Sequence, residues 1–415
     1  MIPFNGLLGA FLALFFLSTG FRLALELLNV SNVKRNQGRL PAPFQGIVDE
    51  AELAGMDRYT LDRTRFSIVE SIAARAVFLG LLLSGLLPWL EQTVRGFGFV
   101  WAGLAFFAAP AFLCFLFDLP FDYFGNFVIE ARHGFNTRTR RLWALDSLKS
   151  LLIGGLLGGV LLGLFLLMVD KTGPSWWIWA WAILLGFQLL MLVLYPLVIA
   201  PLFNTFTPVE DRELAERIRS MASEQGVNVE EIVQMDAGRR SRHTNAYFTG
   251  LGRVKRIVLY DTLLQAHDQD ELLAVLAHEM AHLKMGHVWK RVLLFGAASL
   301  VLLFAASLLI RWEPIYQAFA FSGTPLYAGL FLAGVIWEPA GFFLSPLSMA
   351  VSRRFERQAD RFVLDRTGGG EALARALERM AGDNLANLHP HPLYVRFHYS
   401  HPPLVERIRA LVHFS

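Results

Sequence analysis

The sequence predicts an α-helical protein that crosses a membrane seven times and carries a small α+β domain outside the membrane. Of its 415 residues, 54% are hydrophobic and only 18% are charged, which exceeds the apolar share of ordinary soluble domains. Several leucine-rich runs are long enough to cross a hydrocarbon core of about 30 Å, which takes roughly 20 helical residues. These observations favour a multi-pass membrane protein in contact with the lipid bilayer.

Seven uncharged apolar runs predict the membrane spans. Five precede a polar block and two follow it. The first run has neither a basic segment before it nor a small-residue cleavage site, so we expect it to be retained as a helix. The predicted spans are 4–27, 67–90, 97–117, 149–169, 175–201, 291–310 and 326–350.

The polar segments divide the chain into four parts: a five-span membrane domain (1–202), an α+β block (203–290), a helical hairpin (291–350) and a C-terminal part (351–415). The pattern of the 203–290 block predicts a helix at 208–225, β-structure at 229–260 and a long helix from Asp268. The C-terminal part shows helical patterns at 352–366, 370–382 and 402–413. Neither piece is long enough for its own core, so we expect the two to pack together.

Charge and cysteine content exclude two classes of feature. The net charge is only +3, and no basic stripe is interleaved with aromatic residues, so nucleic acid is not an expected partner. Cys114 is the single cysteine, and no internal disulfide can form.

Basic residues in the short loops predict the orientation. Ten lie in the loops after the first and third spans: Lys34, Arg35, Arg39, Arg58, Arg63, Arg65, Arg132, Arg138, Arg140 and Arg141. Three lie on the other face: Arg95, Lys171 and Arg311. The excess predicts that the odd-numbered loops, the 203–290 block and the C-terminal part face the cytosol.

Six ionisable residues interrupt the apolar runs: Arg22, Glu26, Glu70, Arg75, Asp118 and Glu338. Charges at membrane depth usually face a bundle interior or water, which favours an aqueous cavity around Arg75 and Glu338. For Glu26, Glu70 and Asp118 an equally good interpretation is that they reach the membrane interface.

The sequence HEMAH at 278–282 follows a helix start signal, Asp268 with Glu271 three residues later. In one helix His278 and His282 share a face, so both imidazoles can bind a single tetrahedral Zn²⁺. Glu279 beside them can act as general base for the attacking water. The alternative is a purely structural pair of histidines, which the buried character of 272–276 disfavours.

The third ligand is predicted on a second helix. A metzincin requires Gly at 285 and His at 288, where this chain has Met285 and Val288; His287 is therefore interpreted as a polar residue near the membrane surface. Glu356 and Asp360 lie one helical turn apart after the last span. The hairpin of spans six and seven returns Glu356 to the level of His278, where Asp360 can orient a ligand histidine. The alternative for Glu356 is a surface residue among arginines.

These motifs resemble the type I CAAX prenyl proteases, a family of seven-span zinc metalloproteases. They cover most of the chain in the expected order. Besides HEMAH they are EARHGFN at 130–136, LFNTFTP at 202–208, HTNAYF at 243–248, SRRFERQAD at 352–360 and YSHPP at 399–403.

The resemblance implies a gluzincin-like domain with one Zn²⁺ per chain, and seven helices enclosing a wet chamber. It implies endoproteolysis by zinc-activated water, resembling removal of the C-terminal tripeptide from prenylated proteins. The segment 245–248, which is Asn245, Ala246, Tyr247 and Phe248, resembles the edge strand along which an extended substrate lies in this family. The alternative interpretation of Asn245 is that it is only a turn residue. His401 resembles the family histidine that stabilises the oxyanion. The alternative interpretation of His401 is that it caps the last helix.

Other functions remain open at the level of sequence. The substrate is a peptide or a membrane-associated protein, prenylated or not, and a quality-control protease is the enzymatic alternative. A zinc-binding transporter is the non-enzymatic alternative, although it needs no general base at Glu279. The compact length favours a bacterial plasma membrane over an endoplasmic reticulum membrane.

Overall fold

A computed structural model of the chain describes residues 4–250, 255–367 and 370–413. Seven of its helical segments are long and apolar enough to cross a membrane, which confirms the predicted number and order. Their bounds are Gly6–Arg35, Glu50–Leu83, Phe99–Glu130, Arg140–Lys171, Gly173–Phe203, His287–Leu309 and Leu326–Asp365.

The N-terminal helices extend beyond the apolar runs because their caps lie in the polar loops. Asp49 caps the second helix in a capping box with Glu52, so this helix starts well before residue 67 and projects out of the apolar zone. It ends before Gly85, whose φ of 82° starts a separate short helix. The helices of this part are α1 (Gly6–Arg35), α2 (Glu50–Leu83), α3 (Leu86–Val94), α4 (Phe99–Phe124), α5 (Arg140–Lys171), α6 (Trp176–Leu194) and α7 (Ala200–Phe203).

The block after the fifth span contains a four-stranded sheet of order β1-β2-β4-β3. Strands β2 and β4 are parallel, whereas β1 and β3 each pair with one antiparallel neighbour, so β3 is an edge strand. The predicted α+β character is confirmed. Its elements are β1 (Phe206–Pro208), α8 (Arg212–Glu224), β2 (Val229–Met235), β3 (Ala246–Thr249), β4 (Lys255–Tyr260), α9 (Asp261–Ala266) and α10 (Gln269–Lys284).

In the last part of the chain, the regular elements within the described ranges are all helices. The predicted span 326–350 and the predicted helix 352–366 form one helix of 42 residues. The prediction divided them at the onset of charged residues, which marks the membrane surface but does not end a helix. The helices are α11 (His287–Leu309), α12 (Glu313–Ala318), α13 (Leu326–Thr367), α14 (Glu371–Asp383), α15 (Pro392–His398) and α16 (Leu404–His413).

One hydrophobic core joins the polar parts, as predicted. It contains Phe44 from the first loop, Leu259 from β4, Leu276 from α10, Val363 from α13 and Ile408 from α16. The segment 203–290 and the C-terminal part therefore form a single domain, and the first loop is built into it. The loops with the excess of basic residues lie on the side of this domain.

Three charged residues meet between the membrane helices. Nη2 of Arg22 and Nη2 of Arg75 lie 3.1 and 2.9 Å from the same Oε1 of Glu338, which joins α1, α2 and α13. Glu338 also lines a cavity of about 420 Å³ between α2, α3, α4 and α13. The fifth span packs against α5 and α11, and Nε1 of Trp181 donates to the backbone oxygen of Gly296 in α11.

Candidate metal centre

Three side chains converge between α10 and α13. Nε2 of His278 lies 3.2 Å from Oε2 of Glu356, and Nε2 of His282 lies 3.5 Å from Oε1 of the same carboxylate. The two Nε2 atoms are 3.4 Å apart. His278 and Glu356 are buried and His282 is half-buried. The structure thus brings together the three residues predicted as metal ligands.

The spacing fits a tetrahedral ion. Bonds of about 2.0–2.1 Å at the tetrahedral angle separate two ligand atoms by about 3.3–3.4 Å, which is typical of Zn²⁺ held by imidazole and carboxylate. The separation of the two Nε2 atoms and the separation of each from its nearer Glu356 oxygen lie close to this value. An open fourth direction, which three protein ligands leave, is typical of catalytic sites.

The helix that carries both histidines is held rigidly. Asp268 accepts a hydrogen bond from the backbone N–H of Glu271, which fixes the predicted helix start. The side chain of Glu271 does not complete the predicted capping box, since its carboxylate lies 2.9 Å from Nδ1 of His267. The core buries the first half of this helix, including Leu272 and Leu276, which lie one helical turn apart. Residues on this helix therefore have little freedom to move.

Asp360 lies where it was predicted, against the ring of His278. Its Oδ1 is 2.9 Å from Nδ1 of His278, so the Nδ1–H can donate to it and leave the Nε2 lone pair for a metal. Arg407 donates to both Asp360 oxygens. The sequence analysis missed Arg407, although a signal existed: it lies on the apolar face of α16 with Ile408 and Leu411.

His287, interpreted from the sequence as a polar residue near the membrane surface, is the first residue of the sixth span, and it is buried, with only 1% of the residue exposed. Its Nδ1 lies 2.9 Å from Nδ1 of His282, and its Nε2 lies 3.0 Å from Oε1 of Gln358. The predicted helix from Asp268 through the HEMAH motif is confirmed, and it ends at Lys284. Gly286, with a φ of 65°, ends α10 and starts α11 at His287.

The predicted general base and the predicted oxyanion donor flank the three ligands. Glu279 is half-buried next to His278 in α10, and burial raises the pKa of its carboxyl. Nε2 of His401 lies 3.4 Å from Oε2 of Glu356, while 60% of the His401 side chain remains exposed. Oγ of Ser400 lies 2.9 Å from Nδ1 of His401. His401 thus lies beside the ligand atoms with an exposed side chain, and Glu279 directly follows the ligand His278 in α10.

Asn245 precedes the edge strand β3, which packs beside α10. Its backbone oxygen accepts from the N–H of Tyr260, and its side-chain oxygen accepts from the N–H of Ala246. Backbone groups in an antiparallel pair alternate between the two sides. The N–H and C=O of Ala246 and Phe248 therefore point away from β4, toward the open edge.

The loop 130–136 connects the membrane helices to the catalytic domain. Glu130 lies 2.9 Å from the hydroxyl of Tyr59, 2.8 Å from Nη1 of Arg63 and 3.4 Å from Nε2 of His243. His133 lies 3.1 Å from Asp62. The motif residues around 130 thus hold the segment that leads into β3, which gives this loop a structural role that the sequence did not reveal.

Two family models match consecutive parts of the chain. Residues 29–205 match the N-terminal domain of CAAX prenyl proteases, described as five membrane helices. Residues 208–415 match peptidase family M48. The two matches cover the membrane domain and all three candidate ligands.

Individual relatives and a solved structure agree with these matches. The chain is 34% identical to CAAX prenyl protease 1 homolog of Oryza sativa over 90% of each chain. It is 32% identical to CAAX prenyl protease 1 of Saccharomyces cerevisiae, over 92% of this chain and 90% of the relative. The crystal structure of Ste24p from S. mikatae superposes with a TM-score of 0.91 at 30% identity, covering 99% of this chain and all of that one. The chain therefore belongs to peptidase family M48 and is a membrane metalloprotease of the CAAX prenyl protease 1 type.

Proposed function

We propose that this metalloprotease is a zinc endopeptidase with one Zn²⁺ per chain, bound by His278, His282 and Glu356. The observation that carries the proposal is the convergence of two imidazoles on one carboxylate: the two Nε2 atoms are 3.4 Å apart, and they lie 3.2 and 3.5 Å from Oε2 and Oε1 of Glu356, respectively. When bound there, zinc polarises the scissile carbonyl and makes water a stronger nucleophile near neutral pH.

Glu279 and His401 supply the proton transfers and the electrostatic stabilisation. We assign Glu279 as the base that takes a proton from the attacking water and delivers it to the leaving amine, a task suited to a carboxyl whose pKa is raised by burial. With the Ser400 hydroxyl donating to Nδ1 of His401, the hydrogen of the ring lies on Nε2, beside Oε2 of Glu356, and we assign this Nε2–H as the donor to the developing oxyanion.

The edge of β3 is the proposed substrate platform. An extended peptide can pair with the outward C=O of Ala246 and with the outward N–H and C=O of Phe248, as in other cases of strand addition. Asn245 occupies the start of this edge, and we assign its side chain to the bound peptide backbone. Backbone pairing accepts many side chains, as a protease with varied substrates requires.

For the substrate class, we propose the C-terminus of a prenylated protein, from which a tripeptide is removed. The relatives named CAAX prenyl protease 1 support this class. A chamber between the membrane helices would admit both lipid and water, and the cavity of about 420 Å³ that Glu338 lines between α2, α3, α4 and α13 supports it.

The proposed location is a membrane with the catalytic domain in the cytosol, because the basic loops after the first and third spans lie on the side of that domain.

Zinc analysis of the purified protein, combined with cleavage of a farnesylated and a matched unmodified peptide, tests the proposal. We expect about one zinc per chain and faster cleavage of the farnesylated peptide. The Glu356→Ala variant should lose zinc, whereas Glu406→Ala, at an exposed position, should keep it. Zinc-free active protein would overturn the metal assignment. Equal cleavage of both peptides would favour a quality-control protease instead.

A further inference from the structure

We infer that His287 is a positioning residue that fixes the ring of His282 for metal binding. The inference rests on the proposed zinc site, because it concerns how one ligand of that site is held. His287 does not belong to the group of converging ligand atoms, and the proposed mechanism makes no use of it. It is nevertheless buried among the residues of the metal centre.

The turn at Gly286 is what brings His287 to His282. In an uninterrupted helix, residues five apart point about 140° away from each other around the axis, so the two rings could not meet. Gly286 adopts φ 65° and ψ 31°, a left-handed conformation that favours glycine. The chain turns there, and the two Nδ1 atoms come within 2.9 Å.

The hydrogen bonds around His287 select a single arrangement of protons. Oε1 of Gln358 is an acceptor only, so Nε2 of a neutral His287 carries the hydrogen and donates it over 3.0 Å. Nδ1 of His287 is then an acceptor, and it can take a hydrogen only from Nδ1–H of His282. His282 is left with a lone pair on Nε2, the atom that faces Glu356 at 3.5 Å.

Packing holds His287 in the orientation that this arrangement requires. Its ring stacks on Phe355 with centroids 4.2 Å apart and planes 10° from parallel. Phe355 immediately precedes the ligand Glu356 in α13, so the stack also ties α11 to the helix of the third ligand. His287 thus orients His282 as Asp360 orients His278: each is a hydrogen-bond partner of the ligand's Nδ1, and each leaves Nε2 directed at the metal position.

Two substitutions at position 287 separate the hydrogen bond from the packing. His287→Phe keeps a ring that can stack on Phe355 but has no acceptor. His287→Asn loses the ring but places an amide oxygen near the position of Nδ1. We expect His287→Phe to weaken zinc affinity by about 10- to 100-fold, the range typical of lost partners of metal-bound histidines. His287→Asn should restore affinity to within about threefold of the parent.

Zinc affinity is measured by chelator competition on the full-length protein in detergent, with melting curves to verify folding. Equal zinc affinity of His287→Phe and the parent would overturn the inference, as would a loss in His287→Asn equal to that in His287→Phe.

If His287→Phe does not fold, Gln358→Leu replaces it. That variant should also lower the affinity, because it removes the acceptor of Nε2–H, while the exposed Arg357→Leu should not. Unchanged affinity in Gln358→Leu would then refute the inference. A parent protein that binds no zinc would refute the proposed function itself.

Discussion

Arg407 holds Asp360 through two parallel hydrogen bonds, from Nε to Oδ2 at 2.9 Å and from Nη2 to Oδ1 at 2.6 Å. Both side chains are buried. Two-point contact fixes the plane of the carboxylate as well as its position. Because Oδ1 also faces Nδ1 of His278, the guanidinium of α16 determines the orientation of a candidate ligand on α10.

Replacing Arg407 by lysine should therefore impair the metal centre while keeping the charge. Lysine cannot donate two parallel hydrogen bonds, so Asp360 loses its fixed plane. We expect zinc affinity or activity to fall by about 10- to 100-fold. The control is Arg409→Lys, at an exposed position of the same helix. Chelator competition and peptide cleavage measure the effect, and equal values for the two variants would contradict the assigned role.

Glu279→Gln should abolish peptide cleavage and leave zinc bound. The amide has nearly the same shape but cannot accept the proton of the attacking water, and a positioned base typically contributes about 10²- to 10⁴-fold to the rate. Turnover of the farnesylated peptide and metal content are measured on the same preparation. A variant that keeps its zinc and its turnover would remove Glu279 from the mechanism.

The edge of β3 can be tested with two substitutions of Phe248. Its N–H points away from β4, so Phe248→Pro removes an outward donor and leaves the hydrogen bonds between β3 and β4 intact. Phe248→Ala loses the same side chain but keeps the donor. We expect kcat/KM of the proline variant to be about two- to tenfold below that of the alanine variant, as one hydrogen bond typically contributes about 0.5–1.5 kcal/mol. Indistinguishable kinetics of the two variants would mean that the substrate lies elsewhere.

The contact of His243 with the loop 130–136 should make stability depend on pH. Burial lowers the pKa of His243, but its interactions with Glu130 and Asn384 outweigh burial and raise the pKa above its ordinary value. A raised pKa stabilises the folded state at pH values below the unfolded pKa, and this contribution is lost as the pH rises through the folded pKa.

His243→Gln should consequently lower the melting temperature more at about pH 6 than at about pH 9. The measurement is thermal unfolding in detergent for the parent, His243→Gln, Glu130→Gln and the double variant. Coupling between the two positions should shrink at the higher pH. A coupling that stays the same at both pH values would show that the charge of His243 is not involved.

The sequence was sufficient for features that depend on local pattern. The seven spans follow from hydropathy, and His278 with His282 follows from helical spacing. Glu356 could be predicted because the hairpin must return to the same membrane face. The sequence was insufficient where one residue overrides a pattern or where distant segments meet. The left-handed Gly286 interrupts an otherwise continuous helical pattern, and only the tertiary packing of α16 brings Arg407 to Asp360.

The 42-residue helix α13 connects the membrane-spanning part of the chain to the candidate metal centre. Glu338, which is tied to Arg22 and Arg75 inside the membrane, and Glu356 are 18 positions apart in this helix, or about 27 Å along its axis. A tilt of about 5° around Glu338 would displace Glu356 by about 2 Å, whereas metal–ligand distances tolerate about 0.2 Å. Bilayer thickness, which affects the inclination of membrane helices, is therefore expected to affect the geometry of the candidate metal centre.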